Sequence, residues 1–237
     1  EKLSEVYTRT KKRGKSGEEY PLTYRRDIGY NKYSKAVTGN LIALGSVNIR
    51  ADQDVNLFGA EIEAAKNIAL SGRDVTLHAI KVGSTQYRSI GRTITRAKTV
   101  RHQVAELDAG GSIAIQAEGD LTTYGSQLMA GEDEHGNIFI NAKGETQLRG
   151  VNNEDYSFYQ HTRKESFGRK KTWISEDRSI SAQGTSLTAG GSLLMNIAVD
   201  KDGEIKKLES GDIYFEGSDI RVGGNAVIHS DSDVNVF

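Results

Sequence analysis

The sequence predicts an all-β fold, a right-handed parallel β-helix of three-sided coils carrying basic β-hairpin insertions. Three observations predict it. Between Gly110 and Val151 apolar residues alternate in pairs, Ile113 and Ile115, Leu121 and Thr123, Leu128 and Ala130, which is the two-residue period of a strand. After Gly131 the cycle restarts, Ile138 and Ile140 repeating the first pair and Thr146 and Leu148 the second. Setting EDEHG aside as an insertion leaves a period of about 20 residues, the signature of a stacked array. The composition agrees: 237 residues hold 26 Gly, 6 Phe and 1 Trp, and stacked coils need Val, Ile, Leu and Ala pointing inward with Gly at corners.

Composition also limits the chemistry. Without cysteine there are no disulfides and no thiolate metal sites. The chain opens on Glu1 with neither a signal peptide nor an apolar run long enough to span a bilayer as a helix, so it reads as an internal piece of a longer protein. Net charge is −1, yet the charges are unevenly spread.

Taken in order, residues 1–37 form a basic hairpin in which Tyr and Thr alternate with Lys and Arg around Gly14 and Gly17. Coils occupy 38–82, with inward pairs Val47 and Ile49, Val55 and Leu57, Ile62 and Ala64, then Ile68 and Leu70, Val75 and Leu77, and Ile80 and Val82. A second hairpin spans 83–109, coils resume over 110–151, a third hairpin spans 152–184, and coils fill 185–237 with an insertion VDKDGEIKKLES after Ile197. Gly14, Gly91 and Gly168 recur at about 77 residues, so one hairpin plus two coils is used three times. The crossover rule for parallel strands, with interior room for aliphatic side chains, favours the right hand.

Stacking turns recurring residues into columns. Asp54, Asp74, Asp120, Glu145, Asp212 and Asp233 each precede an inward residue and read as a structural corner column whose carboxylates accept hydrogen bonds from their own turn. The alternatives are a calcium ladder or catalytic carboxylates, but calcium loops gather several oxygens within one turn. Gly59, Gly125, Gly150 and Gly217 mark corners needing positive φ or close backbone approach. Catalysis on a β-helix needs carboxylates converging on a groove; Asp52, Asp54 and Asp74 with Arg73 come nearest, in positions the repeat already explains. His78, His102, His135, His161 and His229 lack ligand spacing. No catalytic, cofactor or metal residue is therefore assigned.

The basic hairpins carry the functional expectation. Arg88, Arg92, Arg96, Lys98 and Arg101 form one strip; Arg163, Lys164, Arg169, Lys170 and Lys171 form another, interleaved with Tyr156, Phe158, Tyr159, Phe167 and Trp173. Such strips attract lipopolysaccharide phosphates or sulfated glycans. The plainer alternative is solvated hairpins whose charges guard an exposed sheet edge. Nucleic acid is not the expected partner, because cations alone do not distinguish one polyanion from another. Side by side, the three hairpins make an extra sheet; as membrane-crossing strands their charges are costly.

AGGSIAIQAEGDLTTYGSQLMAG, SLTAGGSLLM and ESGDIYFEGSDIRVGGNAVIHSDSDV resemble the haemagglutinin repeats of large secreted exoproteins of Gram-negative bacteria, the filamentous-haemagglutinin and contact-dependent growth inhibition group. DYSFYQHTRKESFGRKKTWISEDRSISAQGTSLTAGG is similar to their second repeat region. The resemblance covers most of residues 40–237 and, more loosely, the N-terminal hairpin, and it implies a right-handed parallel β-helix, export by two-partner secretion and a place on the cell surface. It implies as partners the target-cell outer membrane or its surface receptor, the outer-membrane transporter during export, and flanking repeats of the same exoprotein. In growth-inhibition effectors this region helps deliver a C-terminal toxin across the target outer membrane; in adhesins it is a stalk. A β-helix enzyme degrading polysaccharide is the remaining alternative.

Overall fold

In the computed structural model, residues 2–13, 18–131, 135–199 and 204–237 are described, with side chains from Ile28 onward. The chain divides into two units. One collects residues 1–35, 82–101 and 154–180; the other collects 36–81, 102–153 and 181–237.

The larger unit is the parallel β-helix. Its described residues make six coils of three strands each. Coils one and two follow a first hairpin of β1 (Lys2–Arg13) and β2 (Glu18–Ser34). They contain β3 (Asn40–Ala43), β4 (Val47–Arg50) and β5 (Val55–Phe58), then β6 (Glu61–Ala64), β7 (Ile68–Gly72) and β8 (Val75–His78). A second hairpin, β9 (Ile80–Ile90) and β10 (Thr93–Gln103), precedes coil three, β11 (Glu106–Ala109), β12 (Ile113–Ala117) and β13 (Leu121–Tyr124). Coil four is β14 (Gln127–Ala130), β15 (Ile138–Ala142) and β16 (Thr146–Arg149). The third hairpin pairs β17 (Val151–Lys164) and β18 (Lys170–Gln183). Coil five is β19 (Ser186–Ala189), β20 (Leu193–Met195), a side hairpin β21 (Ile197–Val199) and β22 (Ile205–Lys207), then β23 (Ile213–Phe215). Coil six is β24 (Asp219–Val222), β25 (Ala226–Ile228) and β26 (Val234–Val236).

Corresponding strands stack into three parallel sheets, β3-β6-β11-β14-β19-β24, β4-β7-β12-β15-β20-β25 and β5-β8-β13-β16-β23-β26. The register keeps like over like. Ile49, Leu70, Ile115, Ile140, Met195 and Ile228 form one inward column, and Ala43, Ala64, Ala109, Ala130 and Ala189 form another. Period-two alternation sends every second side chain inward, and only stacked neighbours cover it. Central members such as Ile68, Ile113, Leu121 and Leu193 are fully buried.

Among the described residues two buried side-chain oxygens, Asn141 Oδ1 and Thr146 Oγ1, have no hydrogen-bond partner, and of the two only Thr146 is a fully buried residue. Thr146 stands in the column of Val75, Leu121 and Ile213, and its hydroxyl has no hydrogen-bond partner among the described residues. Thr146→Val, the residue type already present at Val55 and Val75, is expected to stabilise the chain by about 1 kcal/mol in urea unfolding.

The strand phase corrects the sequence reading in four places. The first coil begins at β3, one strand before Val47, because Leu41 and Ile42 lie exposed at the end of the stack and interrupt the apolar pattern. Ile80 and Val82 belong to β9 of the second hairpin instead of a coil. Glu106–Ala109, expected within the 83–109 hairpin, is a coil strand aligned with Glu61–Ala64 on one side and Gln127–Ala130 on the other. Ile197, read as a coil residue, opens the antiparallel side hairpin. The tip around Gly14 and Gly17, Glu132–Glu134 of one insertion and Asp200–Gly203 of the other lie outside the described residues.

Glycine at the third corner decides the path of the chain. After β5, β13 and β23 the residues Gly59, Gly125 and Gly217 have φ of +52°, +65° and +59°, the left-handed turn that starts the next coil. Gly150 departs from the expected pattern: there the chain runs on extended into β17.

The smaller unit is a single six-stranded sheet, β1-β2-β9-β10-β17-β18, so the three hairpins form the extra sheet. Among its described side chains only Val100 is buried. It has no apolar core of its own there.

Candidate functional site

The hairpin sheet holds every cation of the two strips, and cross-strand pairing sorts them into two classes. Near the start of the arms β10 faces β17 antiparallel, with Lys98 opposite Tyr156 and Val100 opposite Glu154. Glu154 accepts from Lys98 Nζ at 2.6 Å and from Arg178 Nε at 2.9 Å, bridging three strands. The Lys98 hydrogen bond, reinforced by the charges of Lys98 and Arg178, holds the Glu154 carboxyl below the usual carboxylate range. Arg101 grips Asp155 with one guanidinium nitrogen, 2.8 and 2.7 Å from the two carboxylate oxygens. Lys98 and Arg101 of the first strip are therefore paired with acids of the following hairpin.

Toward the turns the picture reverses. Arg88, Arg92, Arg163, Lys164, Arg169 and Lys170 are exposed, and none forms an ion pair with a described residue. The backbone brings the two described turns to one end of the sheet: Thr93 lies opposite His161, and the Thr162 N–H donates to the Arg92 carbonyl at 2.9 Å. Gly91 has φ of +58° and Gly168 +76°. Phe167, between them in kind, is a non-glycine residue at φ +59° and is fully exposed. Such a conformation costs a bulky residue roughly 1 kcal/mol, so the ring is displayed at the apex against local preference. Lys171 lies 5.1 Å over the Trp173 ring, which itself stacks on His161 at 5.9 Å.

Between these regions lies Arg96, whose guanidinium sits 5.7 Å from the Tyr87 ring and 5.4 Å from that of Phe158. Tyr87 stacks on Tyr30 at 5.7 Å, and Lys32 lies 5.5 Å over Tyr30. The sequence reading singled out Arg96 and Phe158 but missed Lys32, Tyr30 and Tyr87, and with them the ladder across β2, β9, β10 and β17.

The corner column occupies the place expected, but its bonding differs. Asp74 Oδ1 accepts from the Asp120 N–H at 2.9 Å, Asp120 Oδ1 from the Glu145 N–H at 2.8 Å, and Asp212 Oδ1 from the Asp233 N–H at 3.0 Å. Each carboxylate thus holds the next coil instead of its own turn. The Asp233 N–H, with the Tyr214 hydroxyl, keeps the Asp212 carboxyl below its ordinary range. Asp54 accepts from Arg73 at 3.1 Å through both oxygens. Asp52 and Arg73 do share a depression of about 400 Å³ with Arg50 and Glu118, but Asp54 and Asp74 tie down the Arg73 guanidinium.

A second column escaped the sequence reading. Ser46, Asn67, Ser112, Asn137, Ser192 and Asn225 alternate one per coil, each side-chain oxygen accepting from the backbone N–H of the next, at 2.7–3.3 Å. The signal was present as an alternating Ser or Asn immediately before each inward pair.

The histidines are dispersed. His78 stacks between Phe58 at 4.3 Å and Tyr124 at 6.0 Å, with burial lowering its pKa. His161 bonds Thr93, and His229 pairs with Asp231 at 3.1 Å. Among the described residues no three potential ligands cluster as a metal site, and no helix is long and apolar enough to cross a membrane.

Comparison with known proteins bears on this architecture. Residues 26–93 match the hemagglutinin repeat family. The chain is 30% identical over 135 residues to the tRNA nuclease CdiA of Escherichia coli (strain STEC_O31), covering 56% of this chain and 4% of that protein. The nuclease activity in that name belongs to a protein of which this chain spans only a small part. No solved structure matches. With six stacked coils, recurrent basic hairpins and these two similarities, the chain carries a haemagglutinin-repeat region of the kind found in two-partner-secreted exoproteins.

Proposed function

We propose that the chain is a non-enzymatic repeat segment of a secreted bacterial surface exoprotein, and that its hairpin sheet contacts the target-cell outer membrane during delivery of a C-terminal toxin. The observation that carries this reading is the sorting of charge. Carboxylates neutralise Lys98, Arg101 and Arg178, while Arg92, Arg163, Lys164, Arg169 and Lys170 at the turns have no counter-charge among the described residues. Exposed Phe167 and Ile90 stand among them. An apolar apex ringed by cations fits a headgroup layer of anionic lipid, where each Lys or Arg near the surface contributes about 1 kcal/mol. Export through an outer-membrane transporter and continuation into flanking repeats belong to the same proposal.

The test is charge reversal at the third turn. Arg169→Glu, Lys170→Glu and Lys171→Glu together are expected to weaken binding to lipopolysaccharide-containing vesicles by roughly a hundredfold at low salt, with the thermal midpoint unchanged. Equal binding by wild type and variant, flat across salt, would remove the hairpins from membrane contact. Retained attachment with failed toxin entry in an intact effector marks delivery. Lost attachment to host cells marks an adhesin.

A further inference from the structure

A separate feature of the hairpin sheet is the aromatic and cationic ladder, some residues away from the turns. Its rungs alternate: Lys32 over Tyr30, Tyr30 on Tyr87, Arg96 between Tyr87 and Phe158. Lys98, Arg101 and Arg178 on the same sheet pair with carboxylates, whereas Arg96 pairs with none among the described residues. Its guanidinium is held by two ring faces, which fixes its plane while leaving its N–H donors free of the described acids.

Beside it lies a depression of about 410 Å³ lined by Tyr30, Tyr87, Arg96, Lys98 and Tyr156. That volume is within the range of small-ligand sites. Lys98 spends one contact on Glu154, which it shares with Arg178, and an ammonium has three donors. Tyr30 and Tyr87 bring phenol hydroxyls that both donate and accept.

We infer that this depression binds a phosphate-bearing sugar of a membrane glycolipid. The planar Arg96 fork takes two phosphate oxygens, Lys98 takes a third, and the phenols meet sugar hydroxyls. Single-stranded nucleic acid fits less well, since binding it relies on open ring faces for base stacking. Here Tyr87 is covered by Tyr30 and Arg96, Tyr30 by Tyr87 and Lys32, and Phe158 by Arg96. The glycolipid source rests on the membrane-contact reading above; the phosphate-sugar chemistry does not.

The experiment titrates the whole 237-residue chain with soluble glucosamine phosphate, glucosamine, inorganic phosphate and a single-stranded oligonucleotide, and separately with lipopolysaccharide-containing vesicles. Glucosamine phosphate is expected to bind at least about tenfold more tightly than either fragment, and Arg96→Gln to lose about tenfold or more of that affinity. Arg96→Lys should lose most of it too, since charge without the planar fork does not suffice. The turn-reversal variant should keep glucosamine phosphate binding while losing vesicles, so the two readings fail separately. Equal affinity of wild type and Arg96→Gln for glucosamine phosphate, or tighter binding of the oligonucleotide, overturns the inference. Unchanged thermal midpoints confirm that Arg96→Gln acts on the site.

Discussion

Truncating Ile115 to alanine is expected to destabilise the β-helix by about 4 kcal/mol. Ile115 is in the third of six coils, held in register between Leu70 and Ile140, and is fully buried. Loss of three methyl or methylene groups leaves a void that neighbouring coils cannot close, because each strand is fixed on both sides by backbone hydrogen bonds. The same truncation at Ile228, in the last coil and only partly buried, should cost roughly 1 kcal/mol, because less apolar area leaves water there. Urea unfolding of the two variants measures both. In a stacked array stability is the sum of coil and interface terms, so position along one column sets the cost of one chemical change. Equal losses at the two sites would contradict a continuous interior.

Asn196 is the second sensitive point. It is buried with φ of +55°, at the place where the side hairpin of coil five leaves the coil. Its N–H donates to the Ile140 carbonyl at 2.8 Å and its carbonyl accepts from the Leu208 N–H at 3.0 Å. Its side chain accepts from the Ala142 N–H at 2.9 Å and donates to the His229 carbonyl at 3.0 Å. One residue thus ties coils four and six while reversing the chain. Asparagine tolerates the left-handed region better than other residues with a β-carbon. Asn196→Ala strands two backbone groups and adds conformational strain, for an expected loss of about 3 kcal/mol. Asn196→Gly removes the same hydrogen bonds but relieves the strain, so it should be milder than Ala by about 1 kcal/mol. Thermal or urea unfolding that ranks Gly and Ala the other way would refute this account.

What was legible in the sequence was whatever repeats at short range. Inward pairs such as Ile113 and Ile115 declare strands, their recurrence declares coils, and Gly91 and Gly168, each followed by an arginine, declare hairpins. What was not legible depends on partners brought together by stacking. The carboxylates that neutralise Lys98 and Arg101 are 56 and 54 residues further along, on a neighbouring hairpin. The acceptor role of Asp74 is satisfied 46 residues away, in the next coil. Arg96 was visible as a cation, but its rings come from two other strands. Coil phase was misjudged at Leu41, where two adjacent exposed apolar residues interrupt the alternation, and at Ile80, where the alternation continues into a hairpin strand.

The third corner also explains how such a chain tolerates its excursions. Where a coil passes directly to the next, two residues bridge the gap, Gly59 and Ala60 or Gly125 and Ser126. Where a hairpin intervenes, the outgoing Ala79 or Gly150 and the returning Ala105 or Thr185 stand in those same two places. Ala105 and Thr185 even bond the neighbouring coils as their counterparts do, the Gln127 N–H reaching the Ala105 carbonyl and the Asp219 N–H that of Thr185, both at 2.9 Å. The second and third hairpins are thus each spliced into a two-residue joint whose ends already match. Cassettes of this kind can be gained, lost or exchanged over evolutionary time while the winding beneath them is left intact.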